Sequence, residues 1–199
     1  MVVFMKFKII WRIVIIIFVS VVTIWFYIHW KKTEPIHIAK IFILAVENRD
    51  VNTIYLLTIP KEREELGVTP QAIRLVLETT LWRHGQVIGR VQSVEIHGYY
   101  GVVMGKWLNA KTKEPIPANY GPVSNPKEMI LMISLLALTP EGWRVSTARF
   151  LIGRDFQTFG NLALCRRVGL KGLIDVRTGY VVTLEEMERQ LALLSRPSH

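Results

Sequence analysis

The sequence of 199 residues predicts an α+β protein: a single N-terminal transmembrane helix, three helices packed on an antiparallel sheet of about four strands, and a C-terminal helix–hairpin–helix extension. Three observations predict this class. An uncharged apolar run lies near the N-terminus, apolar residues then recur at helical spacing, and alternation with a period of two begins after Gly85. The predicted boundaries are 1–8 for a short tail, 9–30 for the transmembrane helix, 31–152 for the folded domain and 153–199 for the extension.

The N-terminal apolar run has the length of a membrane-spanning helix. Residues 13–30 contain no Lys, Arg, Asp or Glu, and as a helix they would cover about 27 Å, close to the thickness of the hydrocarbon layer. The run is longer than the apolar part of a cleaved signal peptide and no small-residue cleavage site follows it, so an uncleaved signal-anchor is expected. The residues predicted to mark the membrane interfaces are Trp11, Arg12, Trp25, Tyr27, Trp30, Lys31 and Lys32.

Charges on either side of this run predict its orientation. Lys6, Lys8 and Arg12 precede or begin it, whereas Lys31 and Lys32 follow it, which gives a small excess of positive charge on the N-terminal side. The sequence therefore predicts a single-pass protein of the cell membrane. Its N-terminus would be cytoplasmic, its folded domain extracytoplasmic, and the lipid bilayer its first partner.

Composition and charge limit the other functions. The chain has 25 Lys and Arg against 16 Asp and Glu, but the basic residues are scattered, so no specific nucleic-acid interface is predicted. The same net charge of +9 could attract anionic lipid or cell-wall polymer. The single cysteine, Cys165, has no partner for an intramolecular disulfide and no metal-site spacing around it, so we expect a small buried apolar side chain. No cofactor and no metal are predicted.

Three helices are predicted after the membrane segment. Pro35 suits the first turn of the first helix, and Asp50 can cap the second. Thr69 followed by Pro70 can open the third helix, which Gly85 would end. The charged segment KEREELGV, between the second and third helices, is predicted to be a loop.

The residue pattern after Gly85 predicts the sheet and the C-terminal extension. Glycines interrupt the first two strands, as bulges do, and four prolines make residues 109–127 a long loop. The tail predicts a helix, a hairpin turning at 177–179, and a closing helix with a capping box formed by Thr183 and Glu186. The predicted strands cover residues 87–97, 99–108, 129–138 and 143–152.

Three stretches resemble the nuclear transport factor 2-like superfamily of cone-shaped domains: AVENRDVNTIYLLTIP, TPQAIRLVLETTLW and PEGWRV. The resemblance covers roughly residues 35–152. It implies a curved sheet wrapped around a helix, with a pocket at the wide end of the cone. The superfamily includes enzymes such as ketosteroid isomerase and scytalone dehydratase, many catalytically silent relatives, and periplasmic domains on a single transmembrane helix that assemble into secretion machines.

No catalytic signature is present, and the site candidates are weak. His97 and Glu95 share a strand face with Ser93, because side chains two residues apart in a strand point the same way. If this face lines the pocket, Glu95 could orient His97 for acid–base work; if it faces solvent, they are ordinary exposed residues. His84, beside Gly85, is expected to be an imidazolium stabilised by a helix C-terminus.

Other polar and aromatic residues are expected to be structural. Asp155 should form a surface ion pair with Arg149 or Arg154. Four aromatic side chains are expected in the core or the pocket wall: Tyr99, Tyr100, Trp107 and Trp143.

The sequence therefore favours a membrane-anchored extracytoplasmic domain that binds a protein partner or assembles with itself, without catalytic activity. The alternative is a pocket that binds or isomerises a small apolar ligand. A third interpretation is electrostatic attachment to an anionic polymer, which added salt would weaken.

Overall fold

The computed structural model describes Trp11 and residues 14–25, 34–116, 131–152 and 159–194. Helices precede a four-stranded antiparallel sheet, and a second, two-stranded sheet follows between two further helices. A single 3₁₀ turn, Trp82–His84, joins the helical part of the domain to the sheet. In chain order the elements are α1 (residues 14–25), α2 (Pro35–Glu47), α3 (Val51–Leu57), α4 (Pro60–Glu64), α5 (Pro70–Thr79), β1 (Val87–His97), β2 (Tyr100–Asn109), β3 (Leu131–Thr139), β4 (Gly142–Val145), α6 (Thr147–Ile152), α7 (Phe159–Arg167), β5 (Gly172–Ile174), β6 (Val181–Thr183) and α8 (Leu184–Leu194).

Helix α1 is the described part of the predicted membrane segment. Within the described chain, no helix has both the length and the apolar character needed to cross a bilayer. This contradicts the predicted transmembrane helix over 9–30, and with it the single-pass topology, the signal-anchor and the extracytoplasmic placement. Of the predicted interface residues, Trp11 and Trp25 are described; outside the described residues lie Arg12, Tyr27, Trp30, Lys31 and Lys32.

The helix starts follow the sequence closely. Asp50 Oδ1 accepts a hydrogen bond from the Thr53 N–H at 3.1 Å, and Thr69 Oγ1 accepts one from the Ala72 N–H at 3.1 Å. Both predicted N-caps are thereby confirmed. The predicted loop after Pro60 is wrong at its start, because this proline occupies the first turn of α4.

The main sheet is antiparallel throughout, in the order β1-β2-β3-β4. Strand β4 ends at Val145, so the prediction of a strand over 143–152 is wrong beyond that residue. The cause is a change of period: Ala148, Leu151 and Ile152 are buried at the spacing of a helix, and they pack as α6 beneath the sheet.

The two faces of the sheet are covered differently. On the inner face, the Phe150 ring meets the rings of Phe42 at 5.2 Å and Trp107 at 6.1 Å between centroids, which joins α6, α2 and β2 in the main core. On the outer face, a second buried cluster packs against Tyr100, Leu135 and Ala137 of the sheet. This cluster consists of Ile59, Leu66, Ile174 and Val176.

The described part of the C-terminal segment belongs to the same folded body. Leu162, Cys165 and Met187 are buried in the main core, while the β5–β6 hairpin covers one end of the sheet's outer face. The predicted capping box is confirmed, because the Thr183 N–H donates to Glu186 Oε2 at 2.8 Å and the Glu186 N–H donates to Thr183 Oγ1 at 3.2 Å.

Candidate functional site

A basic groove of about 440 Å³ lies on the outer face of strands β1 and β2. Arg90 of β1 and Lys106 of β2 stand directly opposite each other in the strand register, and Lys113 enters from the loop that follows β2. Side chains of β2 alternate in burial, with Trp107 in the core and its neighbours Lys106 and Leu108 partly exposed on the groove side. The lining residues are Arg90, Val91, Gln92, Lys106, Leu108, Lys113 and Pro115.

The charges in this groove are all of one sign. Its lining contains three cations and no carboxylate. Among the described residues, none of the ion pairs that form involves Arg90, Lys106 or Lys113. Like charges placed directly opposite on neighbouring strands are destabilising, so the arrangement favours an anion that could lie between them.

The loop that carries Lys113 is held in place by hydrogen bonds. Asn109 Oδ1 accepts from the backbone N–H of Lys111 at 2.9 Å and of Thr112 at 3.2 Å, while the Lys113 N–H donates to the Asn109 carbonyl at 2.9 Å. Lys113 has a φ of 62°, in the left-handed region that residues with a Cβ rarely adopt. The position of this lysine beside the groove is therefore set by the turn.

A β-bulge shapes the opposite wall of the groove. The register between β1 and β2 shifts between Val91 and Ser93, so Gln92 is an extra residue in β1. A bulge bends and twists its strand and re-aims the side chains around it. Here it brings Val91 and Gln92 into the lining beside Arg90.

His97 and Glu95 lie at the far end of β1 from this groove. His97 Nε2 is 3.6 Å from Glu95 Oε2, with the two side chains 48% and 54% exposed, and the His97 ring stacks on Tyr100 at 5.0 Å between centroids. The pair is thus brought together, on a face open to solvent. Ser93, on the same predicted face, is half-buried. Their acid–base role stays a prediction.

His84 differs from the expectation of an imidazolium. Its Nε2 accepts a hydrogen bond from Arg83 Nε–H at 3.1 Å, which requires a neutral ring nitrogen. Burial, and then the charge of Arg83, lower the pKa of His84. Burial is the larger of these two effects, and it opposes the imidazolium that was expected at this position.

The other predicted residues are dispersed. Trp107 is buried in the core, Trp143 and Tyr100 are partly buried, and Tyr99 is exposed, with its Oη–H donating to the Arg177 carbonyl at 2.8 Å. Arg149 lies in α6. Asp155 and Arg154 lie outside the described residues.

Cys165 is buried in the main core, and burial raises the pKa of its thiol to about 12. The expectation of a buried apolar side chain is confirmed, because a thiol of such pKa is not ionised near neutral pH. Across the described ranges, no three His, Cys, Asp or Glu side chains gather as a metal site would require.

Sequence reasoning missed a buried carboxylate, Glu62 of α4. Its Oε1 accepts from Ser146 Oγ–H at 2.6 Å, and its Oε2 accepts from the Ala148 N–H at 3.0 Å at the start of α6. A longer bond of 3.5 Å comes from the Ile174 N–H of β5. Burial raises the pKa of Glu62 to about 7, against the opposing effect of these hydrogen bonds. Nothing in the charged run KEREE distinguishes this glutamate from its exposed neighbours Glu64 and Glu65.

Glu62 joins three elements rather than forming an open site. The carboxylate, carried by α4, accepts hydrogen bonds from Ser146, from the first turn of α6 and from one strand of the hairpin. The side chain is fully buried, so no ligand reaches it without rearrangement. We therefore assign Glu62 to the structure and the basic groove to the candidate site.

Comparisons with known proteins add little to this picture. No model of a known protein family matches the chain, and no curated protein matches it either. Among solved structures, it is similar to a Streptomyces avermitilis protein that is provisionally described as a dehydratase of the NTF2-like family, with 16% identity over 58% of this chain and 92% of that one. The TM-score is 0.34, so this fold-level likeness carries no argument about family or activity.

Proposed function

We propose that this chain is a ligand-binding domain that takes an anionic partner in the groove formed by Arg90, Lys106 and Lys113. The observation that carries the proposal is the direct opposition of Arg90 and Lys106 across two strands, in a groove whose lining has no carboxylate. Lys113 adds a third positive charge from a turn fixed by Asn109.

The electrostatics support binding more than stability. Side chains directly opposite in an antiparallel pair have Cβ atoms about 5 Å apart, and like charges there cost a few tenths of a kcal/mol in the free protein. An anion between the two cations replaces this repulsion with two attractions. Because the groove is open to water, each attraction is modest and is screened by salt.

A charge-matched pair of variants tests the proposal. Arg90→Gln/Lys106→Gln removes one arginine and one lysine from the groove, while Arg167→Gln/Lys171→Gln removes the same charges from exposed positions elsewhere. We would titrate inorganic pyrophosphate and a sulfated polysaccharide into each protein by calorimetry, at 50 mM and 300 mM salt. The groove variant should bind at least tenfold more weakly than the wild type, and the control should bind within about twofold of it. Equal losses of affinity in both variants would show that net charge alone drives binding and would refute the groove as the binding site.

The predicted self-association is a second candidate function. It is favoured by exposed apolar side chains around the β5–β6 turn, where Tyr180 is 75% exposed and Leu138 and Tyr99 are also exposed. Tyr99 and Leu138 are neighbours, since the Leu138 N–H donates to the Tyr99 carbonyl at 2.8 Å. Light scattering of the wild type and of Tyr180→Ser would test a dimer formed through this end, with Leu193→Ser, 64% exposed, as the apolar control. A monomer at all concentrations would exclude it.

A further inference from the structure

We infer that the ligand of the basic groove is a compact organic molecule with two anionic groups separated by an apolar body, and not a linear polyanion. This inference rests on the proposed function and specifies the class of ligand. It follows from three features of the groove: where its positive charge ends, what lies between the cations, and how each cation is presented.

Among the described residues, the positive charge of the groove does not continue along β1 and β2 toward His97. Beyond Arg90 on the same face of β1, the next residues are Ser93 and Glu95, which are neutral and acidic. Beyond Lys106 on β2, the outer face continues with Met104, Val102 and Tyr100, and the β5–β6 hairpin packs over Tyr100. A linear polyanion needs a continuous basic track, and the described residues of β1 and β2 offer none from the groove toward His97 and Tyr100.

An apolar floor separates the cations. Leu108 and Pro115 form an isolated antiparallel bridge, which places them between Lys106 on one side and Lys113 on the other. Val91 adds a further apolar surface to the lining. A volume of about 440 Å³ lies within the range of small-molecule pockets.

The cations are presented in two different ways. Arg90 has a planar guanidinium that can bind a phosphate or carboxylate through two parallel hydrogen bonds, and Lys106 opposite it can contribute a point charge to the same group. Lys113, fixed by its turn on the far side of the Leu108–Pro115 pair, is placed for a second anionic group. The ligand class is therefore a phosphate or carboxylate dianion of moderate length with an aliphatic or aromatic centre.

A series of alkane-1,n-bisphosphonates provides the test. We would measure their affinities, with n from 2 to 10, beside those of the matching alkyl monophosphonates, pyrophosphate and a sulfated polysaccharide. An intermediate spacer should bind at least tenfold more tightly than its monophosphonate and than pyrophosphate. Lys113→Gln should reduce the affinity for that bisphosphonate to the level of the monophosphonate and leave the monophosphonate itself almost unchanged.

Lys111→Gln is the matched control, since Lys111 lies in the same turn, is exposed and does not line the groove. It should keep the preference for the bisphosphonate. If the polysaccharide binds in the groove while no bisphosphonate exceeds its monophosphonate, this inference is overturned and the proposed function stands. If Arg90→Gln/Lys106→Gln changes the binding of no anion of any length, the proposed function fails.

Discussion

The buried Glu62 and the basic groove are two regions that hold charge in opposite ways. Glu62 is isolated from water but is surrounded by donors from α6, β5 and Ser146. Arg90, Lys106 and Lys113 are open to water but have no partner of opposite charge among the described residues. The comparison teaches that burial disfavours the charged form of Glu62 and that its hydrogen-bond donors offset part of this cost, whereas the three exposed cations keep their hydration and are, in our proposal, free to bind an anion.

The largest expected effect comes from truncating Glu62. Glu62→Ala leaves a cavity and removes the acceptor for Ser146 Oγ–H and the Ala148 N–H, so we expect a loss of about 2 to 5 kcal/mol in the free energy of unfolding at neutral pH. Glu62→Gln should cost much less, because its amide oxygen can accept from Ala148 while its NH₂ donates to Ser146 Oγ. Urea denaturation of both variants measures the difference. Equal losses would show that the negative charge itself is required.

The pH dependence of stability is the next largest effect. The pKa of Glu62 is raised from 4.5 to about 7, so the folded state holds this proton more tightly than the unfolded state. Its contribution is fully present below pH 4.5 and is lost as the pH rises to about 7, a change on the order of 3 kcal/mol. Thermal denaturation between pH 5 and 8 should show this fall in wild type, and Glu62→Gln should lack it. A wild-type profile that rises over this window would contradict the raised pKa.

The conformation of Lys113 predicts a smaller effect on stability, of about 1 kcal/mol. Lys113→Gly removes the strain of a left-handed backbone conformation, because glycine has no Cβ. Lys111→Gly removes no such strain and only increases the conformational entropy of the unfolded chain. We expect Lys113→Gly to be more stable than Lys111→Gly by about 1 kcal/mol in urea denaturation, although both lose one positive charge. In anion titrations the order should reverse, with Lys113→Gly the weaker binder. Similar stabilities would mean that the turn imposes no strain at Lys113.

The smallest effect concerns the groove without its ligand. Arg90→Gln removes the like-charge opposition to Lys106, so the free protein should gain a few tenths of a kcal/mol in its free energy of unfolding at low salt. The gain should vanish at 0.5 M salt because exposed charges are then screened. Denaturation at the two salt concentrations, with Arg167→Gln for comparison, separates this effect from the change in net charge. A loss of stability in Arg90→Gln alone would indicate that the arginine has a structural role.

Local signals in the sequence predicted the local structure well. The capping hydrogen bonds join residues three positions apart, so short spacing in the sequence identifies them. They are made by Asp50, by Thr69 and by the pair of Thr183 and Glu186. The end of β4 was missed, because the apolar residues after Val145 form no clear strand or helix pattern by themselves. Their helical conformation depends on packing under the sheet. The apolar N-terminal run predicted a transmembrane helix from hydropathy alone, and among the described residues no helix has the length and apolar character to cross a bilayer.

The candidate site could not be predicted because it depends on contacts between distant residues. Arg90 and Lys106 become neighbours only through the register of β1 and β2, which includes a shift at Gln92 that alternation alone does not reveal. Lys113 joins them through the bridge between Leu108 and Pro115. Glu62 binds groups more than eighty positions away in the chain, at Ser146 and Ala148.

The packing of α8 has a consequence for how the protein is made. Met187 and Leu191 are buried in the same core as Phe42 and Trp107. A nascent chain emerging from the ribosome would therefore expose that apolar surface until residue 191 had cleared the exit tunnel. The core can close only after α8 has been synthesised, when its last turns reach the helices and strands made before them.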